Sequence, residues 1–184
     1  LFDAMCHAFG TMATGGFSTY DTSVGHFDSA TIDYIITLFM IAAGTNFALF
    51  YTLVVLDKSG KDFWVWIKGK LTSIFSDIEF RVYLGIIVFS TIAIMASGMV
   101  AGDWDLPADA AAEDSIVAAI LRSIRYGLFQ VVAIVTTTGF GTHDFDSWSQ
   151  FGRCLMFALM FIGGCAGSTG GGMKVIRHVL FVKI

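Results

Sequence analysis

Three long runs of this chain carry no charged residue, and they constrain its fold more than any other feature. Residues 34–56 make 23 positions between Asp33 and Asp57, residues 82–102 make 21 between Arg81 and Asp103, and residues 154–173 make 20 between Arg153 and Lys174. About 20 apolar residues are needed to cross a hydrocarbon core of roughly 30 Å as a helix, so each run has the length of a membrane span. Composition agrees: 55% of the 184 residues are hydrophobic and 14% are charged, against roughly 25% charged in a soluble domain. A net charge of −4 with no basic stripe excludes nucleic acid as a partner. The three cysteines, Cys6, Cys154 and Cys165, have neither disulfide-framework nor metal spacing and read as apolar packing residues. Leu1 opens in mid-pattern, which reads as a piece of a longer chain.

Two further charge-free runs, 4–20 and 126–143, are short for a crossing and read as re-entrant segments. Charge gives the orientation. The connector 57–81 holds Lys58, Lys61, Lys68, Lys70 and Arg81, and the tail holds Lys174, Arg177 and Lys183. By the Lys/Arg bias both face the cytoplasm. The connector 103–114, with five acids and no Lys or Arg, faces outward. Phe63, Trp64, Trp66 and Ile67 beside Lys68 and Lys70 read either as an interfacial helix or as a solvated linker with anchoring aromatics.

The two short runs are copies of one pattern. Thr14, Gly15, Gly16, Phe17 align with Thr137, Thr138, Gly139, Phe140 at a shift of 123 residues, and Asp21 falls on Asp144. After a five-residue insertion in the first copy, Phe27-Asp28-Ser29 answers Phe145-Asp146-Ser147. Each copy runs from an apolar half-length helix through a Thr-x-Gly-Phe loop and an acidic outer stretch to a full span. The expected organisation is therefore all-α and membrane-integral: a pore helix, loop and second helix over 1–56, the connector 57–81, and a following repeat over 82–184. Within that repeat a helix covers 82–102, the acidic connector 103–114, a pore helix and loop 115–142, and a second helix 154–184. Irregular backbone at membrane depth is tolerated only when buried in protein or lining a watery path. Carbonyls aimed at one axis can replace the hydration shell of potassium. Glycine takes the required conformation at little steric cost, and Gly16 and Gly139 hold that place. The alternative is a pair of tight turns with no ion contact.

The last span contains six glycines in ten residues, Gly163, Gly164, Gly167, Gly170, Gly171 and Gly172, around Ser168 and Thr169. Each interior glycine costs a helix about 1 kcal/mol, so a non-helical loop that gates the path is expected there. The alternative is close helix packing, since Gly163/Gly167 and Gly167/Gly171 have GxxxG spacing. Lys174 and Arg177 either anchor at lipid headgroups or touch the gate and a regulatory partner.

His7 in the first pore helix reads as a packing histidine. His143 and Asp144 lie just outside the second loop; a membrane hydrolase built on them is a competing reading, although no nucleophile spacing supports it. Asp21, Asp28, Asp144, Asp146 and the acidic connector either concentrate cations at the mouth or form an ordinary solvated face.

The runs 13–19 (Ala-Thr-Gly-Gly-Phe-Ser-Thr), 136–141 (Thr-Thr-Thr-Gly-Phe-Gly) and 163–174 (Gly-Gly-Cys-Ala-Gly-Ser-Thr-Gly-Gly-Gly-Met-Lys), with Arg177, resemble the Trk/Ktr/HKT superfamily of potassium transporters, most of all its bacterial TrkH branch. The resemblance implies four helix–loop–helix repeats around one pore, of which this chain holds about one and a half. It implies that potassium is cargo, bound by the carbonyls of Thr14–Phe17 and Thr137–Phe140, with no resident cofactor and no enzymatic activity. It also implies a homodimer in the inner membrane, regulated by a cytoplasmic TrkA-type nucleotide-binding ring. Glycine at positions 16 and 139 goes with potassium in this superfamily, and serine goes with sodium. Ser18 departs from its counterpart Gly141. Two alternatives stand beside this reading: a relative that conducts sodium or mixed cations, and a non-transporting scaffold associating through glycine faces.

Overall fold

The computed structural model describes residues 1–55, 75–102 and 112–183. All regular structure in them is helical: α1 (Phe2–Met12), α2 (Ala30–Ala43), α3 (Phe47–Val55), α4 (Ile78–Ala101), α5 (Ala112–Val135), α6 (Gln150–Leu159) and α7 (Val175–Lys183), with 3-10 turns at Ser23–Phe27 and Phe145–Ser147. The aromatic cluster of the basic connector and most of the acidic connector lie outside the described residues.

The C-terminal half of α5 is the centre of the packing. Phe129, Val131, Val132, Ala133 and Val135 are fully buried, walled by Met40 of α2, Tyr83, Ile87 and Ile94 of α4, and Met156 of α6. α5 packs on α2 and α4, α4 on α5 and α6, and α1 on α2. On the outward faces Phe39, Phe89, Ile92, Val100, Phe157 and Phe161 are at least half exposed. Apolar side chains of this size cover a surface suited to lipid rather than water. Among the described residues, Ile78–Ala101 and Val117–Val135 are long and apolar enough to cross a membrane. Chemistry at the ends fixes α4: the Asp77 carboxylate accepts the Phe80 N–H at its start (3.0 Å), and Gly102 closes it at φ +77°. The α6 cap Ser149 meets Ser97 of α4 at 2.9 Å.

Charge-free length misjudges three of the helices. Run 34–56 is not one span helix but two, broken at Gly44-Thr45-Asn46. There the Thr45 hydroxyl bonds back to the Ile41 carbonyl (2.8 Å), and the Asn46 side chain accepts the Ala48 N–H (2.9 Å) as the cap of α3. Run 154–173 is helical only to Leu159. The helix before the second loop is not half-length: α5 has 24 residues, because Arg122 and Arg125 continue it upstream of the apolar run. Arginine is a good helix former, so a charge ends an apolar run without ending a helix.

Candidate functional site

Both Thr-x-Gly-Phe loops leave their helices by the same backbone route. α1 ends in a pair of bonds from the Thr14 N–H to the Thr11 carbonyl (3.2 Å) and from the Gly15 N–H to the Gly10 carbonyl (2.8 Å). This is a Schellman closure, but with threonine where glycine is usual. In α5 the Thr137 N–H bonds to Ile134 (2.9 Å) and the Gly139 N–H to Ala133 (3.0 Å), matching Gly16 to Gly10 (3.3 Å) in the first copy. The left-handed residues match as well: Thr14 at φ +50° and Gly16 at +65°, Thr137 at +59° and Gly139 at +80°. The residues between them, Gly15 and Thr138, have negative φ. The sequence points to glycine at 16 and 139 as the source of left-handed backbone; the two β-branched threonines carry no such signal. Such a residue at positive φ is an outlier that surrounding structure must hold in place.

The two loops touch. A Cβ on Gly16 would overlap the Thr138 carbonyl oxygen, whereas one on Gly139 meets nothing within 4 Å among the described residues. Phe140 is 1% exposed and its ring stacks on His7 of α1, centroids 5.7 Å apart, while Phe17 is 81% exposed. His7 is buried and bridges its own copy. Its Nδ1 lies 2.7 Å from the Asp3 carbonyl, which can only accept, so Nδ1 carries the proton and Nε2 accepts the Ser18 hydroxyl (2.9 Å). The side chain of Ser18, the residue that departs from Gly141, is thereby turned toward the helix and also accepts the Tyr20 N–H (3.1 Å). The Thr19 hydroxyl, and then Tyr20, bond Asp3 and hold its carboxyl below the usual carboxylate range. The insertion of the first copy also reaches across: the Gly25 N–H bonds to the Gly141 carbonyl (3.0 Å), and the Gly141 N–H to Ser23 (3.2 Å). On the same side the Arg125 Nε reaches buried Asp33 at 2.6 Å, tying α5 to α2.

The glycine-rich segment is not helical, so a GxxxG helix face does not exist here. Residues 160–174 form a closed-neck loop, a hairpin only in outline since its two ends run parallel at the Ile162–Met173 bridge, held by Gly163 N–H to the Met173 carbonyl (2.8 Å) and Val175 N–H to the Gly164 carbonyl (3.2 Å). Its tip reaches both loops: the Thr14 hydroxyl donates to the Thr169 carbonyl (2.9 Å), sharing its one proton with the Ala13 carbonyl (2.7 Å), and the Gly171 N–H donates to the Thr137 hydroxyl (2.6 Å). Its flank fills the break in the first copy, with Cys165 N–H on the Gly44 carbonyl (2.9 Å), Phe47 N–H on the Gly167 carbonyl (3.0 Å) and the Thr169 hydroxyl on the Ala43 carbonyl (3.1 Å). Orphan groups of two interrupted helices thus satisfy one another. Close backbone approach explains the composition: a Cβ on Gly163 would overlap the Gly171 carbonyl oxygen, and one on Gly164 would lie 2.8 Å from the Gly44 oxygen. Ser168 bonds within the loop to the Cys165 carbonyl (2.6 Å), and the Lys174 ammonium donates to the Gly170 carbonyl. Gly172 adds a left-handed residue at φ +67°.

Glu79, which carries no motif signal, is 8% exposed at the start of α4, and its Oε1 accepts the N–H groups of Ala166 (2.7 Å) and Ile176 (3.2 Å). His143 accepts the Trp148 indole N–H at Nδ1 (3.1 Å) and stacks on that ring, so it is a packed residue rather than a free base. No cluster of three or more metal-ligating side chains occurs among the described residues. Oxygens suited to a cation here are backbone carbonyls and threonine hydroxyls.

The chain is similar to known proteins along nearly its whole length. The family model described as TrkH, cation transport protein, matches residues 1–183. The Trk system potassium uptake protein TrkH of Halomonas elongata is 36% identical over 186 residues, covering 99% of this chain and 32% of that protein. Its Escherichia coli counterpart is 38% identical over 182 residues, with the same coverage of 99% and 32%. The crystal structure of the potassium transporter TrkH from Vibrio parahaemolyticus superposes with a TM-score of 0.78 at 35% identity, covering 98% of this chain and 34% of that one. The chain spans about a third of the length of these relatives.

Proposed function

The chain belongs to the TrkH cation transport family, a membrane family of transport proteins rather than enzymes, and on that premise we propose that its two Thr-x-Gly-Phe loops form part of a potassium filter. It is an all-α, multi-pass segment of a bacterial inner-membrane protein. The observation that carries the filter reading is the repeated alternation of backbone hand at 14–16 and 137–139. Alternating hands turn successive carbonyls to one side, the arrangement that replaces an ion's hydration shell. Potassium is the cargo, held by carbonyls of Thr14–Phe17 and Thr137–Phe140, and glycine at 16 and 139 favours potassium over sodium.

Residues 163–174 act as the gate. The hairpin engages both loops from below by one threonine hydroxyl each, and its tip fits through hydrogen bonds, so withdrawal takes a single side chain of residues 163–174, Cys165, out of the core. Re-entrant loops repeated around a pore, completed by the rest of the polypeptide, fit the matched loop geometry. A homodimer under a cytoplasmic TrkA-type ring is the assembly this family membership suggests. Reconstituting the full-length protein in liposomes tests the reading: rubidium tracer should enter down a potassium gradient, and sodium in excess should compete weakly. No rubidium flux, or equal competition by sodium, overturns it.

A further inference from the structure

Glu79 is the one acidic side chain of the described residues that is buried against the glycine-rich hairpin, and the transport reading gives it no task. It stands on the first turn of α4, yet its carboxylate is not spent on that helix. One oxygen accepts two N–H groups from either side of the hairpin's return: Ala166 on the outgoing limb at 2.7 Å, and Ile176, past the end of the hairpin in the first turn of α7, at 3.2 Å. A buried carboxylate is costly unless it is fully engaged. Here the unpaired N–H groups and positive end of α7 engage it, and hydrogen bonds to a charged acceptor are roughly twice as strong as neutral ones. The neck bonds at Gly163 and Gly164 are between neutral backbone groups and join the two limbs.

We propose that Glu79 is a positioning residue for the gate: its carboxylate ties the outgoing limb of the hairpin to the start of α7 and so holds the tip against Thr14 and Thr137. This rests on the gate reading above. Withdrawal of the hairpin must break the Ala166 bond, while the Ile176 bond, which joins the packed helices α4 and α7, can stay. Removing the acceptor therefore favours the withdrawn state and leaves the filter carbonyls untouched.

The test uses the full-length protein in liposomes, with rubidium tracer efflux and amide hydrogen exchange read on the same preparations. Gly163→Ala serves as the gate reference, because its Cβ overlaps Gly171 and opens the neck. Glu79→Ala should raise efflux about tenfold and Glu79→Gln, which keeps the shape and one neutral acceptor, about threefold, with the rubidium-to-sodium ratio unchanged. Exchange at Ala166 and Ile176 should accelerate in both, and Glu79→Ala should add nothing in the Gly163→Ala background. If Glu79→Ala does not fold, Glu79→Gln decides. Efflux raised by Gly163→Ala but unmoved by either Glu79 variant, with exchange unchanged, overturns the clamp and leaves the gate standing. Efflux unmoved by Gly163→Ala in a folded protein overturns the gate and the clamp with it. A Glu79 effect fully additive with Gly163→Ala places its action elsewhere and overturns the clamp alone.

Discussion

The two copies of the pattern share the backbone of the Thr-x-Gly-Phe loop and differ in the helix that follows it. Thr14 and Gly16 repeat Thr137 and Gly139 in backbone hand and in the bonds that close the preceding helix. The helix that follows breaks in both copies, but the connectors differ: three residues, 44–46, in the first and fifteen, 160–174, in the second. The long connector occupies the gap left by the short one, through Cys165 on Gly44 and Thr169 on Ala43. If the loops form a filter and the hairpin its gate, as proposed, the part that faces the ion is the part kept symmetric and the part beneath it is single. The short break is a socket for the long one.

Both copies stay in register through several contacts, and the Arg125–Asp33 pair is the charged one among them. Asp33 is 2% exposed, and its Oδ1 has no partner among the described residues. Taking away one member of such a pair leaves a buried charge, at a cost of about 3–5 kcal/mol. Arg125→Ala should therefore lower the thermal midpoint of the full-length protein in detergent by many degrees, and Arg125→Met with Asp33→Leu should restore most of it. The Asp28 contact, at 82% side-chain exposure, contributes little. A single variant within a degree or two of wild type would show that the copies are held together elsewhere.

Serine at the matched glycines probes the symmetry itself. At both positions a Cβ must enter left-handed backbone, a strain of about 1–3 kcal/mol. At Gly16 it also meets the Thr138 carbonyl, while around Gly139 the described residues leave room. If the loops form a ring, a further loop of the same polypeptide stands at Gly139 as Thr138 stands at Gly16. Gly16→Ser and Gly139→Ser should then lose potassium-over-sodium discrimination equally, each by about tenfold in liposome flux. A markedly milder Gly139→Ser would break the ring and leave the two loops as an unequal pair.

The sequence already displays the loops, because Thr-x-Gly-Phe occurs twice with the same acidic sequel, and it displays the hairpin, because six glycines in ten residues defeat a helix. It also contains a signal for the break at 44–46 that charge-free length overrides: glycine to end a helix, then asparagine to cap the next. Other features leave no local trace. Left-handed threonine contradicts its own propensity and is imposed by the closures around it. Glu79 looks like any first-turn acid, and only the return of the chain 87 residues later reveals its partner Ala166. The length of α5 is hidden because the arginines that extend it also end its apolar run.

The smallest expected effect is the most discriminating, since it separates two residues that the repeat makes equivalent. Thr14 and Thr137 both bond the hairpin, but in opposite senses: Thr14 donates to the Thr169 carbonyl, and Thr137 accepts from the Gly171 N–H. Valine keeps the branched shape and deletes the hydroxyl. A carbonyl that loses one donor keeps its second lone pair for water, whereas an N–H that loses its acceptor has no second mode, so orphaned N–H groups are the rarer in folded proteins. A neutral hydrogen bond is worth about 1 kcal/mol net, which is roughly a fivefold change in a two-state ratio. In the full-length protein without a regulatory partner, Thr137→Val should raise rubidium leak about fivefold and Thr14→Val about twofold, both with the rubidium-to-sodium ratio unchanged. The double variant should approach the product, because the hydroxyls hold different residues of one hairpin. Equal leaks would mean that the hairpin is held by shape rather than by these bonds. A changed ion ratio without leak would assign both hydroxyls to the filter and detach them from the gate.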